Sequence, residues 1–280
     1  MNPAAPYEIL REGWHLKLAD GGLTPGLREA VVAQALMAAR GELGASRRRS
    51  RHANTWQLRI GMGAVKLEIF VKLLDAPRGF DVIKYLVRGV RANHVARVTQ
   101  QMNDSGFLAP PLLVYGRDRV SGREVIVTPR ADGDGPLRTL KALRAGAIGR
   151  KRAVLRALGA EIARLHRCGF VHGDLTPFNI FFVRAEPPRF ILIDHERTRR
   201  LGPIGGRRRA LRNLVQLGRF DLPGLGKTDR MRILAGYSAM CGRRERRRLI
   251  RRVNAMLRRR IARDGVARME DNPARGATVT

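Results

Sequence analysis

Acidic residues are scarce in this 280-residue chain: 24 Asp and Glu stand against 55 Lys and Arg, a formal net charge of +31. Anionic partners are therefore expected, whether nucleic acid, an acidic membrane surface or phosphorylated ligands. Only seven of the basic residues are lysine, so a codon preference for arginine accounts for the excess about as well. Cysteine is almost absent. Cys168 and Cys241 lie far apart and form no C-x-x-C, which argues against a disulfide framework or a cysteine zinc site. It favours a reducing compartment, with cytoplasm the default. No apolar run is long enough to cross a bilayer. The first residues lack the basic stretch and apolar core of a secretory signal. Aromatics reach only 5%, little for base stacking, and no nucleic-acid-binding module is recognisable, so nucleic acid ranks last among anionic partners. At 44% apolar, the chain can still build one large domain or two lobes.

Residues 7–18, YEILREGWHLKL, read as one or two short strands. A helix follows, marked by Thr24 as N-cap, Pro25 in the first turn, a face of Leu27, Val31, Ala35 and Leu36, and Gly41 as the stop. After the basic loop GASRRRSRH (44–52), the stretch TWQLRIGMGAVKLEIFVKLL reads as a β-hairpin joined at Gly61-Met62-Gly63. In its second strand Val65, Leu67, Ile69 and Val71 alternate with Lys66, Glu68, Phe70 and Lys72. Val82, Leu86, Val90, Val95, Val98 and Met102 predict a helix over 81–104. LLVYG and EVIVT are strands flanking a turn, ADGDGP (131–136) is a loop, and 137–168 is mainly helix closed by Gly169. FVHGDL, NIFFV and FILID supply short buried strands, and three helices follow from 207. The sum is a two-lobed α+β arrangement: a β-rich first half with one intruding helix, a polar joint near 129–135 with a cleft, and a mainly helical second half.

Within that second half lies HGDLTPFNIFF (172–182). Its spacing, H-x-D-L-x-x-x-N, matches the catalytic loop of kinase-like phosphotransferases. Singly, each residue has a plain structural reading: Asp174 in a turn, His172 in a core, Asp194 as a helix cap, Lys72 at a sheet edge. In this order they supply the parts that phosphoryl transfer from ATP requires. Asp174 is placed to accept the proton of an attacking hydroxyl. Asn179 offers an uncharged oxygen to Mg²⁺, and Asp194, ending the apolar strand FILI, a second metal ligand. Lys72, ending IFVK, is suited to the α- and β-phosphates of ATP, although Lys66 shares its strand face.

RLHRCGFVHGDLTPFNIFF together with FILIDHERTRR resembles the lipopolysaccharide core kinases, which phosphorylate Kdo or heptose sugars of the inner core. RRRSRHANTWQLRI and LEIFVKLL are similar to that family's opening hairpin and lysine strand, and SGFLAPPLLVYG to its helix-to-strand passage. RRALRNLVQLGRF and KTDRMRILAGYSAM resemble its C-terminal segment, so the likeness runs from about residue 44 to 240. It implies a protein-kinase-like fold using ATP and Mg²⁺, in a cytoplasmic protein working peripherally at the inner membrane face. Carried over, Asp174 is the catalytic aspartate, Asn179 and Asp194 hold the metal, and Lys72 is the ATP lysine. The boundaries drawn on this basis are an N-terminal extension (1–43), a β-rich N-lobe (44–128), a helical C-lobe (129–265) and a flexible tail (266–280).

The chain departs from the kinase pattern at several points. Gly173 stands where protein kinases carry Arg, which points to a small-molecule or glycan acceptor. His195-Glu196 follow Asp194 in place of Phe-Gly. No acidic residue lies between Asp81 and Asp104 to meet Lys72, leaving Asn93 or His94 as substitutes. No G-x-G-x-x-G precedes the hairpin, which leaves Gly44-Ala45-Ser46 and the arginines after it to cover the phosphates. The expected function is phosphorylation of a sugar hydroxyl of the lipopolysaccharide inner core. The alternatives are an aminoglycoside-type small-molecule phosphotransferase and a non-catalytic pseudokinase.

One segment is more polarised than the rest. In RRERRRLIRRVNAMLRRRIARDG (243–265), Leu249, Ile250, Val253, Met256, Leu257 and Ile261 form an apolar stripe and arginines cover the remainder. Two readings are open and compatible: a helix packed on the lobe with a solvated basic face, or an interfacial helix on anionic lipid.

Overall fold

The computed structural model describes residues 7–19, 23–44, 48–50, 53–62, 65–77, 89–145, 148–201 and 203–267. They fall into two compact units, one of residues up to Gln101 plus Pro110–Arg130, the other of Met102–Ala109 plus the residues from Ala131 on.

The first unit is built on a seven-stranded antiparallel sheet. Its strands are β1 (Tyr7–Arg11), β2 (Trp14–Leu18), β3 (Arg48–Ser50), β4 (Ala53–Met62), β5 (Val65–Leu74), β6 (Val114–Asp118) and β7 (Glu124–Pro129). Their order across the sheet is β1-β2-β6-β7-β5-β4-β3. Strand alternation sends Ile69, Val71 and Leu73 of β5 to one face, where they meet Val31, Val32 and Ala35 of helix α1 (Pro25–Arg40). The Thr24 hydroxyl accepts the Leu27 N–H, and Gly41 closes α1 in the left-handed region, as the sequence signals. Helix α2 (Arg91–Asp104) packs Ala92 and Val95 with Leu74, Tyr115 and Ile126 of the sheet.

Residues 7–40, expected to stand apart as an extension, instead belong to this sheet unit. β2 pairs with β6 about a hundred positions later (Trp14 with Asp118), and α1 covers one sheet face. The apolar positions Trp14, Leu16 and Leu18 are all buried and need that partner. The first part of the helix expected over 81–104 lies outside the described residues up to 88; α2 itself begins at Arg91. Its N-terminus is capped from the sheet. Fully buried Glu124 accepts the Ala92 N–H (2.7 Å), and the Arg91 guanidinium lies 3.4 Å away. Burial pushes the Glu124 carboxyl upward, against the pull of that N–H and of Arg91.

The second unit carries helices α3 (Pro136–Ala145), α4 (Ile148–Arg167), α5 (Pro203–Gly218), α6 (Lys227–Tyr237) and α7 (Arg243–Asp264). Between α4 and α5 run four short strands: β8 (Phe170–Val171), β9 (Ile180–Val183), β10 (Arg189–Leu192) and β11 (Arg199–Arg200). α4 and α6 touch backbone to backbone through Gly159 and Gly236. A methyl on either glycine would overlap a carbonyl of the other helix, that of Ile233 or Arg156. No helix among the described residues is long and apolar enough to cross a membrane.

Candidate active site

The loop 172–179 is fixed at both ends by short sheets. β8 pairs antiparallel with β11, so the chain enters the loop beside the segment that leaves Asp194. β9 pairs with β10 in a register that sets Ile180 against Leu192. One position further, the Ile193 N–H donates to the Asn179 carbonyl (3.1 Å). Residues 179 and 194, fifteen apart in sequence, are thereby brought to the same end of one hairpin.

His172 ties the remaining pieces together. Its imidazole is fully buried and Nε2 donates to the Ile193 carbonyl (2.9 Å), so Nδ1 is the bare nitrogen, buried without a partner. Burial holds this histidine below its usual range, although the charges of both Asp194 and Asp174 act on the ring in the opposite sense. Edge to face with it, at 5.3 Å between centroids, sits His195, whose Nε2 donates to the Leu192 carbonyl (2.9 Å). Burial, and secondarily the neighbouring His172, pushes His195 down to about 3. Both rings are thus uncharged, and His172 lies within reach of the charge of both carboxylates.

Asp174 is half-buried and held on two sides. Its carbonyl accepts the Asn179 amide Nδ2–H (2.8 Å) and its Oδ1 accepts Gln216 Nε2–H (2.5 Å). With Nδ2 committed, Asn179 has only Oδ1 to offer a cation. Asp194 has φ +65° and ψ +64°, left-handed backbone that a non-glycine residue adopts at a cost of about 1–3 kcal/mol. Strain of this kind gathers at functional positions because only they repay it.

Gly173 also has positive φ (+69°), and a Cβ there would overlap the Arg197 carbonyl. An arginine cannot occupy this position without moving the 195–197 turn, which is the physical reason for the departure from the protein-kinase pattern. Three supports escaped sequence reasoning. Asn213 Oδ1 accepts both the His172 backbone N–H and His166 Nε2–H (each 3.1 Å), and Thr198 Oγ1 donates to the His172 carbonyl (3.2 Å). With Gln216, Asn213 forms a polar i, i+3 pair on α5 among buried Leu211, Leu214, Val215 and Leu217. That interruption of an apolar face was the available signal. His166 Nδ1 in turn accepts the Tyr237 hydroxyl (2.9 Å). Burial pushes His166 down to about 4 and Tyr237 up to about 12.

Lys72 belongs to the first unit. It pairs with Ile126 of β7, so it lies on the sheet face that carries Ile126, and it is half-buried. Of the two proposed partners on α2, Asn93 is exposed and His94 half-buried. Gly44 is described, but Ala45 and Ser46 of the expected phosphate loop lie outside the described residues.

The donor set suits a hard divalent cation: one amide oxygen and one carboxylate, all oxygen. Mg²⁺ is usually held by one or two carboxylates with substrate phosphates completing the shell. No group of three or more His, Cys, Asp or Glu that could hold a metal occurs among the described residues.

A sheet unit with its helices, followed by a helical unit bearing this loop and the strand-end aspartate, defines a protein-kinase-like fold. The family model "Lipopolysaccharide kinase (Kdo/WaaP) family" matches residues 82–237. More than half of the chain is covered, and it belongs to that family, a family of phosphotransferases. A curated relative, a "Probable bifunctional tRNA threonylcarbamoyladenosine biosynthesis protein" of Natronomonas pharaonis, is 35% identical over 113 residues. The match takes in 40% of this chain but only 18% of the relative's length. Among solved structures, the PknI kinase domain of Mycobacterium tuberculosis is similar at a TM-score of 0.36 and 13% identity, with 70% of each chain covered.

Proposed function

We propose that this protein transfers the γ-phosphoryl group of ATP to a sugar hydroxyl of the lipopolysaccharide inner core, on Kdo or heptose. The observation that carries the reading is that Asp174 and Asp194 both act on buried His172, with the Asn179 amide bonded to the Asp174 carbonyl. Asp174 accepts the hydroxyl proton as the sugar oxygen attacks, its carboxylate oriented by Gln216. Asn179 Oδ1 and the Asp194 carboxylate are the groups that would hold Mg²⁺. The bound metal neutralises charge developing on the phosphates. Lys72 is assigned the α- and β-phosphates on the family resemblance alone. The uncharged His172 and His195 pair lies beside the aspartates without neutralising either.

The absence of any acidic residue between Asp81 and Asp104 favours one competing reading, a nucleotide-binding pseudokinase. An acceptor panel under Mg²⁺ and labelled ATP decides between them. Phosphate is expected on inner-core glycolipid and not on aminoglycosides. Label on aminoglycosides alone would turn the assignment to a small-molecule kinase, and label on nothing, equal to Asp174→Ala, to a pseudokinase.

A further inference from the structure

α7 carries eleven arginines against two acids, Glu245 and Asp264. All eleven are exposed. Asp264 engages Arg260 (2.6 Å) and Arg263 (2.7 Å). Arg243, Arg244, Arg246, Arg247, Arg248, Arg251, Arg252, Arg258 and Arg259 have no carboxylate partner among the described residues. Several of these stand at i, i+4, as Arg243 and Arg247 or Arg247 and Arg251 do, and each such like-charged pair costs a helix about 0.2–0.5 kcal/mol. A polyanion laid along the helix would remove that cost.

The apolar stripe of α7 is turned to other use. Val253 is buried, Leu249, Ile250, Met256, Leu257 and Ile261 are half-buried, and the helix packs on α5, with Leu257 against Gly218. A bilayer therefore meets arginine here, not an apolar helix face. α5 widens the same charge with exposed Arg207, Arg208, Arg209 and Arg212. Further along the same helix, Asn213 and Gln216 hold the 172–174 loop. Neither helix has an aromatic residue on which a base could stack. The turn entering α7 instead presents Met240, 83% exposed, a side chain suited to an acyl boundary.

We propose that the arginine faces of α5 and α7 form a docking surface for a membrane rich in anionic phospholipid, held by charge without helix insertion. The surface is argued from charge and exposure, and it goes beyond the kinase reading without depending on it. Docking there would bring a membrane-borne acceptor to the unit that holds Asp174.

The test is sedimentation of the full chain with vesicles, without ATP or acceptor, so that failure of the kinase assignment leaves the result readable. One set is phosphatidylcholine; the other contains about 30% phosphatidylglycerol. Binding only to the anionic set, lost in about 0.5 M NaCl, is expected. The variant with Arg247, Arg251, Arg258 and Arg259 changed to Gln should bind about 1,000-fold more weakly, since each of the four surface arginines contributes near one kcal/mol. A control with Arg97, Arg119, Arg152 and Arg156 changed to Gln removes the same charge elsewhere and should bind as wild type, with circular dichroism reporting that both variants fold. Equal binding to neutral vesicles, equal loss in the control, or preferential capture by transfer RNA over anionic vesicles each overturns the proposal, the last in favour of a nucleic-acid face.

Discussion

Asp174→Asn is expected to lower phosphoryl transfer by about 10²–10⁴-fold, the range over which a positioned general base contributes. Asparagine keeps the shape of the side chain and an Oδ1 that still accepts from Gln216, so the loop geometry survives while the proton acceptor is lost. The Asn179 side-chain amide reaches only the backbone carbonyl of residue 174, so that bond is untouched. The expected signature is a fall in kcat with the KM for ATP little changed, because the lost interaction belongs to the transition state. Gln216→Leu should follow the same pattern more mildly, about ten-fold, the worth of one hydrogen bond to a charged group. A variant at 174 retaining wild-type kcat would remove Asp174 from the chemistry.

Acid is expected to destabilise the helical unit from about pH 6.5 downward, beginning before ordinary carboxylates titrate. His166 is held near 4 and His195 near 3, against an ordinary value of 6.5. In the unfolded chain both take a proton near pH 6.5, while the folded chain refuses it. Below that pH the unfolded state binds more protons, so stability falls as the pH drops from 6.5 towards 4. For His166 alone the loss approaches about 3 kcal/mol, a large share of the roughly 5–15 kcal/mol typical of a domain. Glu124 works in the opposite sense. Its raised carboxyl favours the folded state when protonated, and that contribution is lost as the pH rises through its folded value. It sits in the sheet unit, so its effect is separable by probe. Urea midpoints between pH 7.5 and 4.5, followed through helix signal, should fall steeply below 6.5. His166→Gln should start lower but show a shallower slope. A flat midpoint, or an unchanged slope in the variant, would contradict the buried neutral histidine. The added proton would enter at His166 Nδ1, which accepts the Tyr237 hydroxyl, so protonation disturbs that α4–α6 contact while Nε2–H still donates to Asn213.

The readable parts of this molecule were those whose chemistry is local in sequence. HGDLTPFN was legible because a loop that presents an acid and an amide from one turn must hold them at fixed spacing. The β4–β5 hairpin showed through the alternation of Val65 to Lys72, and α1 through Thr24, Pro25 and Gly41. What escaped depends on pairings across long stretches. Nothing in WHLKL announces β6 as its partner, so residues 7–40 read as an extension. Glu124 reads as a strand residue, and only its approach to Ala92 makes it a helix cap. Asn213 and Gln216 were hidden because a polar residue on a basic helix reads as surface until the loop beneath it is placed. The stripe of α7 was visible, but whether it faced protein or lipid was settled only by Gly218 and the α5 surface.

The most direct test of the central claim is titration of a non-hydrolysable ATP analogue into the full chain, with and without Mg²⁺, for wild type, Asp194→Asn and Asp174→Asn. Oxygen ligands from Asn179 and Asp194 predict Mg²⁺-dependent binding that Asp194→Asn weakens at least about ten-fold and Asp174→Asn leaves near wild type. Metal-independent affinity, or an Asp194→Asn chain that still binds the Mg²⁺ complex as tightly as wild type, would contradict a shared metal–nucleotide site at these residues.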